Sequence, residues 1–271
     1  MIIADYHVHT SFSSDSKAPA EHMIKRAIEL GFQKICITDH MDYDYPEVNE
    51  YPFVFDPDAY VKELEDLKKR YYKQIDVLMG IELGLQPHLT DKLNKLINSY
   101  PFDFVIGSSH VVDHFDPYYP KYWENRTNKD GIFRYFESIT ENCKAFQGFN
   151  VYGHIDYIIR YAPSITEKKA DYSYSDYADI LDEVFKTIIS YGKGIEINSA
   201  GLKYGLGYPH PKPEVLKRYK ELGGELITIG SDAHKPEHLG YDFHLMPDLL
   251  KSLGYRYYAT FVHGKAEYVK L

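Results

Sequence analysis

Cysteine is nearly absent. Two in 271 residues, Cys36 and Cys143, are too few for a disulfide framework. They also lack the paired spacing of a thiolate metal site. Cys36 lies inside the apolar run QKICITDH and reads as core. Long apolar runs are missing as well. No uninterrupted stretch approaches the roughly 18 residues of a membrane span, and the basic-then-apolar start of a signal peptide is not seen. The chain therefore reads as soluble and cytoplasmic, with no membrane partner. Positive charge is scarce: 31 Lys+Arg stand against 40 Asp+Glu, a formal net charge of -9. General nucleic-acid binding rests on a basic stripe, so no nucleic acid is expected as a partner. A small phosphorylated substrate stays open if its site is locally positive. No Pro/Gly/Ser-rich linker and no repeat of fixed period divides the sequence, which points to one domain over residues 1–271.

What is present is alternation. Apolar or β-branched runs occur in MIIADYHV, KICITDH, IDVLMGIEL, DFVIGSSHVV, NVYGHID, KGIEINS, ELITIGSDAH and YYATFVH. Between most of them lie stretches of helical period, such as PDAYVKELEDLKKRYYK, where Tyr60, Leu64 and Leu67 fall at i, i+4 and i+7. Gly31, Gly192, Gly223 and Gly254 stand where four of these helices should stop. Such alternation predicts an α/β fold with a parallel sheet covered by helices, and seven or eight units suggest a closed barrel. A doubly wound open sheet is the rival, but no GxGxxG or GxxxxGK turn follows the first strand. The 27 tyrosines, many in DYDYPEVNEYP and FDPYYPKYW, are expected mostly at the surface and rim, with a few lining a pocket.

In either architecture, functional side chains should gather where strands end. His7 and His9 end strand one, His40 strand two, Glu82 strand three, His110 strand four, His154 strand five, and Asp232 and His234 strand seven. Alternate residues of a strand share a face, so His7-x-His9 aims two imidazoles at one point. Any one histidine alone is more often structural, but six with two acids at one rim are not explained that way. Neutral imidazoles and carboxylates suit Zn, Fe or Mn. With Asp15 there are too many candidates for one tetrahedral ion; two or three ions fit if a carboxylate bridges. Such a cluster would be positive within an acidic protein and would draw a phosphate ester.

The motifs HVHTSFSSD, ITDH, GIE, SSH, GH and SDAH, in this order, resemble the PHP (polymerase and histidinol phosphatase) family of metal-dependent phosphoesterases. The resemblance runs from residue 7 to residue 234. It implies a distorted (β/α)7 barrel with a trinuclear site at the C-terminal ends of the strands. SSHVVD, GHIDYIIRY and INSAGL with GSDAHKPEHLG look most like its histidinol-phosphate phosphatases. Carried over, it implies one metal position from His7, His9, Glu82 and Asp232. A second shares Glu82 and adds His110 and His154, and a third uses Asp15, His40 and His234. Some members have histidine where Asp15 stands, which leaves the metal open among Zn, Fe and Mn. The catalytic set is then Glu82, Asp232, His234 and Arg160, with direct in-line hydrolysis and no phosphoenzyme. Arg160, with Lys203 and Asn198, is expected to bind substrate, with a structural turn role as the alternative for Asn198. Asp42, Asp44 and Asp113 are expected as rim acceptors for an amine and imidazole, and His210 as rim structure. The alternative within the family is an enzyme for nucleotides or other small phosphate esters. Amidohydrolase barrels also begin with HxH but tend to add a bridging lysine that this pattern lacks.

Overall fold

The eight apolar runs supply nine short strands, and KAEYVK adds a tenth. In a computed structural model, which describes residues 1–46, 52–163 and 172–271, these are β1 Ala4–Asp5, β2 Lys34–Ile37, β3 His40–Met41, β4 Asp76–Gly84, β5 Phe104–Ser108, β6 Val151–Tyr152, β7 Gly194–Asn198, β8 Ile227–Gly230, β9 Tyr257–Val262 and β10 Lys265–Lys270. The first eight lie in one sheet in the order β1-β2-β4-β5-β6-β7-β8, with β3 also on β4. All of those pairings are parallel. Because β2 and β3 both pair with β4, they are two parts of one barrel strand. The ring is nearly closed by single bonds between its ends. Tyr6 N donates to Ile229 O at 3.1 Å, His9 N donates to Ala233 O at 2.9 Å, and Val8 bridges Ala233.

Among the described residues, seven helices longer than one turn cover the barrel: α1 Ala20–Glu29, α2 Pro57–Tyr71, α3 Thr90–Ser99, α4 Asn128–Ala145, α5 Ala178–Ser190, α6 Pro213–Glu221 and α7 Met246–Ser252. Each buries one stripe. On α2 it is Tyr60, Leu64, Leu67 and Tyr71, the spacing read from the sequence. Two of the starts are capped by short polar side chains: Asp56 accepts from Asp58 N and Thr127 from Asp130 N. Gly31, Gly192, Gly223 and Gly254 hold φ of 77°, 67°, 97° and 87° just past four helix ends, a region open to glycine at little cost.

One expectation needs correction. The run YYATFVH is no eighth parallel strand. As β9 it pairs antiparallel with β10 in a separate ribbon. This ribbon closes the end of the barrel where the strands begin: Phe261 N donates to Tyr6 Oη, which donates to Phe261 O, both at 2.8 Å. Ala259 and Phe261 share a cluster with Tyr6, Cys36, Phe104 and Val151. The tyrosine expectation holds for most of the described tyrosines but not for all. Eleven are buried, among them Tyr6, Tyr60, Tyr135 and Tyr219, with hydroxyls commonly donating to backbone carbonyls, as Tyr60 does to Ile37 O. Tyr51, in the first tyrosine-rich loop, lies outside the described residues.

Candidate metal centre

The opposite end of the barrel carries the polar residues. Glu82, inside β4, is fully buried and stands at the centre. Its Oε2 lies 3.1 Å from His7 Nε2, 3.5 Å from His9 Nε2 and 3.0 Å from His40 Nδ1. Its Oε1 lies 3.0 Å from His154 Nε2 and 3.3 Å from His110 Nε2, and accepts from Ser108 Oγ at 2.7 Å. Asp232 Oδ1 is 3.4 Å from His9 Nε2, 3.9 Å from His7 Nε2 and 3.5 Å from His234 Nδ1. Asp15, more exposed than the rest, reaches His234 Nε2 at 3.1 Å and His40 Nε2 at 3.8 Å. All nine side chains named from the sequence meet at one place. His154 and Asp232 hold positive φ, 20° and 54°, an uncommon conformation that turns their side chains into the group.

The donor set suits metal ions. His7 Nε2, His9 Nε2, His40 Nδ1 and Glu82 Oε2 are buried and make no hydrogen bond, which a native interior rarely tolerates. Ligand atoms around a tetrahedral ion with bonds of roughly 2.0–2.1 Å sit about 3.4 Å apart, close to the 3.1, 3.5 and 3.4 Å of His7–Glu82, His9–Glu82 and His9–Asp232, with His7–Asp232 wider at 3.9 Å. Three further triads, His9–His40–His234, His40–Asp42–His110 and Glu82–His110–His154, each bring ligand atoms within 4.8 Å of one another. The centre is built to hold divalent metal. Its electrostatics agree. Burial would push the Glu82 carboxyl up, but His7, His110 and His40 hold it well below the usual range. Burial likewise opposes charge on His7, yet Glu196 and Glu82 hold that imidazole well above its usual value. His9, buried beside His234 and His40, is pushed well down and presents a free lone pair.

A second layer of acids orients the ligands, and sequence reasoning missed most of it. His7 Nδ1 donates to Glu196 Oε1, and Glu196 Oε2 accepts from His154 N at 3.0 Å. His9 Nδ1 donates to Ser13 Oγ, which donates to Asp39 at 2.6 Å. His110 Nδ1 donates to Asp42 Oδ2 at 2.8 Å. Such partners set which ring nitrogen faces the metal. The one available signal for Glu196 was an acid in the middle of the apolar strand KGIEINS. Close packing enforces the layer: a Cβ on Gly230 would lie 2.3 Å from Glu196 Oε1 and 2.4 Å from His7 Cβ.

Above the ligands opens a cavity of about 950 Å³, lined by Arg160, Lys203 and Lys235 among others. Arg160 Nη1 is 3.9 Å from Asp232 Oδ2, and its guanidinium lies 3.7 Å over the Tyr204 ring. Lys203 Nζ donates to Asp232 O at 3.1 Å. Asn198 does not reach the cavity. It is fully buried, its Nδ2 donates to Glu196 and its Oδ1 accepts from Ala200 N, so its work is to hold the turn after β7. Two of the expected rim acceptors are committed elsewhere, Asp44 to His88 at 3.1 Å and Asp113 to Arg126 and Arg134 at 2.9 Å. Asp42 serves His110 instead. His210 is structural as expected, buried against Asp156.

Comparison with known proteins points the same way. The PHP domain matches residues 5–200. A probable histidinol-phosphatase of Clostridium acetobutylicum is 35% identical over 89% of this chain and 90% of its own length. The histidinol-phosphatase of Lactococcus lactis is 29% identical, over 95% and 93%. Among solved structures, the L. lactis histidinol phosphate phosphatase complexed with zinc, L-histidinol and phosphate matches with a TM-score of 0.87 at 28% identity, over 97% of this chain and 98% of that one. A Listeria monocytogenes structure, 18% identical, shares the fold with a TM-score of 0.74, over 89% and 98%.

Proposed function

The chain belongs to the PHP domain family, and from that premise we propose that it is a histidinol-phosphate phosphatase. It hydrolyses L-histidinol phosphate to L-histidinol and phosphate in the cytoplasm, and residues 1–271 act as one domain. The names of its relatives support this substrate. The observation that carries the reading is that nine ligating side chains converge directly beneath a cavity lined by Arg160 and Lys203.

Three divalent ions, of Zn, Fe or Mn, would be held by His7, His9, Glu82 and Asp232, by Glu82, His110 and His154, and by Asp15, His40 and His234. Bound there, they supply Lewis acidity to a phosphoryl oxygen and lower the pKa of water. The chain's own residues do the rest. Arg160 grips non-bridging phosphoryl oxygens through a guanidinium that Tyr204 holds in place by stacking. Lys203, which burial pushes below its usual value, adds a shorter-range positive charge anchored on the Asp232 carbonyl. Glu196, Asp42 and Asp39 keep the imidazoles turned inward. No serine or aspartate nucleophile is required.

The test is phosphate release by metal-loaded protein from L-histidinol phosphate, p-nitrophenyl phosphate and AMP. A preference for L-histidinol phosphate of about 100-fold or more in kcat/KM is expected, the scale that specific polar recognition supports. Equal turnover of all three would overturn the reading in favour of a general phosphoesterase of this family.

A further inference from the structure

One carboxylate in the cavity has no ion-pair partner among the described residues. Asp116 lines the cavity and is buried. One oxygen accepts from the Tyr45 hydroxyl and the other from Tyr118 N at 2.7 Å. It makes no ion pair with any cation among the described residues, unlike Asp44 and Asp113 outside the cavity. Burial pushes its carboxyl up, outweighing the hydrogen bonds from Tyr45 and Tyr118 and the more distant His110.

Its surroundings are aromatic. Tyr45 packs on Phe53 with centroids 4.6 Å apart, and Tyr118 stands edge-on to Tyr161 at 5.2 Å. All four rings line the same cavity. Tyr161 also lies 5.4 Å from the Arg160 guanidinium. A path of contacts therefore runs from the cations beside Asp232, across Tyr161 and Tyr118, to Asp116. The cavity is positive where a phosphate would meet metal and negative within an aromatic cage farther along. A buried carboxylate flanked by ring faces suits a nitrogen cation that donates hydrogen bonds, an ammonium or an imidazolium.

We propose that Asp116 is the specificity residue that receives the cationic nitrogen end of the substrate, caged by Tyr45, Tyr118 and Tyr161. This rests on the phosphatase reading above and extends it to the end of the substrate remote from the phosphate. A phosphate ester without such a nitrogen would leave Asp116 unpaired and bind poorly.

The test compares Asp116→Asn with the unaltered enzyme, both metal-loaded, on L-histidinol phosphate and on p-nitrophenyl phosphate. The variant is expected to lose about 30- to 100-fold in kcat/KM on L-histidinol phosphate, mainly through KM. Turnover of p-nitrophenyl phosphate should change by less than about twofold, since that ester has no group for Asp116 to bind. Equal losses on both substrates, or none on either, overturn the proposal. Should the unaltered enzyme itself show no preference between the two, it is the phosphatase reading that fails. A second measurement needs no variant. Competitive inhibition of the unaltered enzyme by L-histidinol is compared with N-acetyl-L-histidinol, which lacks the ammonium, and L-phenylalaninol, which lacks the imidazole. At least one analogue should inhibit about tenfold or more weakly, and which one identifies the nitrogen that Asp116 meets. Equal inhibition by all three defeats the assignment.

Discussion

Glu196 Oε1 lies 2.6 Å from His7 Nδ1, and both side chains are shut off from solvent. The pair keeps a proton on His7 Nδ1, so that Nε2 is the nitrogen left to face a metal beside Glu82. The other Glu196 oxygen holds the backbone of His154. A single acid on β7 thus orients ligands that follow β1 and β6. Glu196→Gln keeps the shape and removes the charge. Metal affinity, measured by competition with a chelator, is expected to fall about 10- to 100-fold. Unchanged affinity would mean that Glu196 merely fills space.

Glu82 touches five imidazoles. Glu82→Gln is expected to lower kcat by roughly 10³-fold or more, the equivalent of one lost Lewis-acid contribution. Elemental analysis should find less bound metal. Full metal content with near-normal turnover would contradict the bridging role.

Protons and metals compete for the same nitrogens. Burial opposes the charged form, but neighbouring carboxylates outweigh it at His7 and His110, and Glu82 and Asp15 raise His40 to about 9. For such groups the folded-state value exceeds the unfolded one. The stabilisation that His40 gives the metal-free protein is complete below about pH 6.5 and is lost as pH rises through about 9, and that of His7 and His110 is likewise lost only above the usual imidazole range. Metal binding must expel these protons, so metal affinity rises across that window. Titrating metal into stripped protein at pH 7 should release protons, seen as binding enthalpies that differ between buffers of unlike ionisation heat. Identical enthalpies would count against this placement of charge.

Gly84 has a positional reason to lack a side chain: a Cβ there would lie 2.3 Å from Asp42 Oδ1. Gly84→Ala should push Asp42 from His110 Nδ1 and loosen that ligand. A drop in metal affinity of about tenfold is expected with the melting temperature of stripped protein little changed. A large loss of stability at unaltered affinity would assign the contact to packing alone.

Arg160→Lys retains charge but gives up the planar fork and the stacking on Tyr204. KM for a phosphate ester should rise about tenfold or more while metal content stays the same. A variant with unchanged KM would remove Arg160 from phosphate binding.

The convergence of the nine candidate ligands was legible because their positions follow from chain order. A parallel barrel brings every strand end to one rim, so histidines and acids at strand ends must meet there, whatever the details of packing. The helices were legible for a similar local reason, since period and terminal glycine are written within each segment. Other features depend on what stands across the barrel. Asp44, Asp113 and Asp116 look alike as acids in tyrosine-rich loops. Only the folded chain sets His88 beside the first, two arginines beside the second and, among the described residues, no ion-pair partner beside the third. Asn198 seemed free to meet substrate until the turn after β7 used both ends of its amide. The last apolar run had the composition of a barrel strand, but its partner was the adjoining β10, reached by a tight reversal. Residue type and spacing by themselves determined which chemistry this protein carries and at which end of its strands. Tertiary structure alone decided which acid orients a ligand, which is neutralised at the surface and which faces the cavity, because a charge's role is set by its neighbours in space.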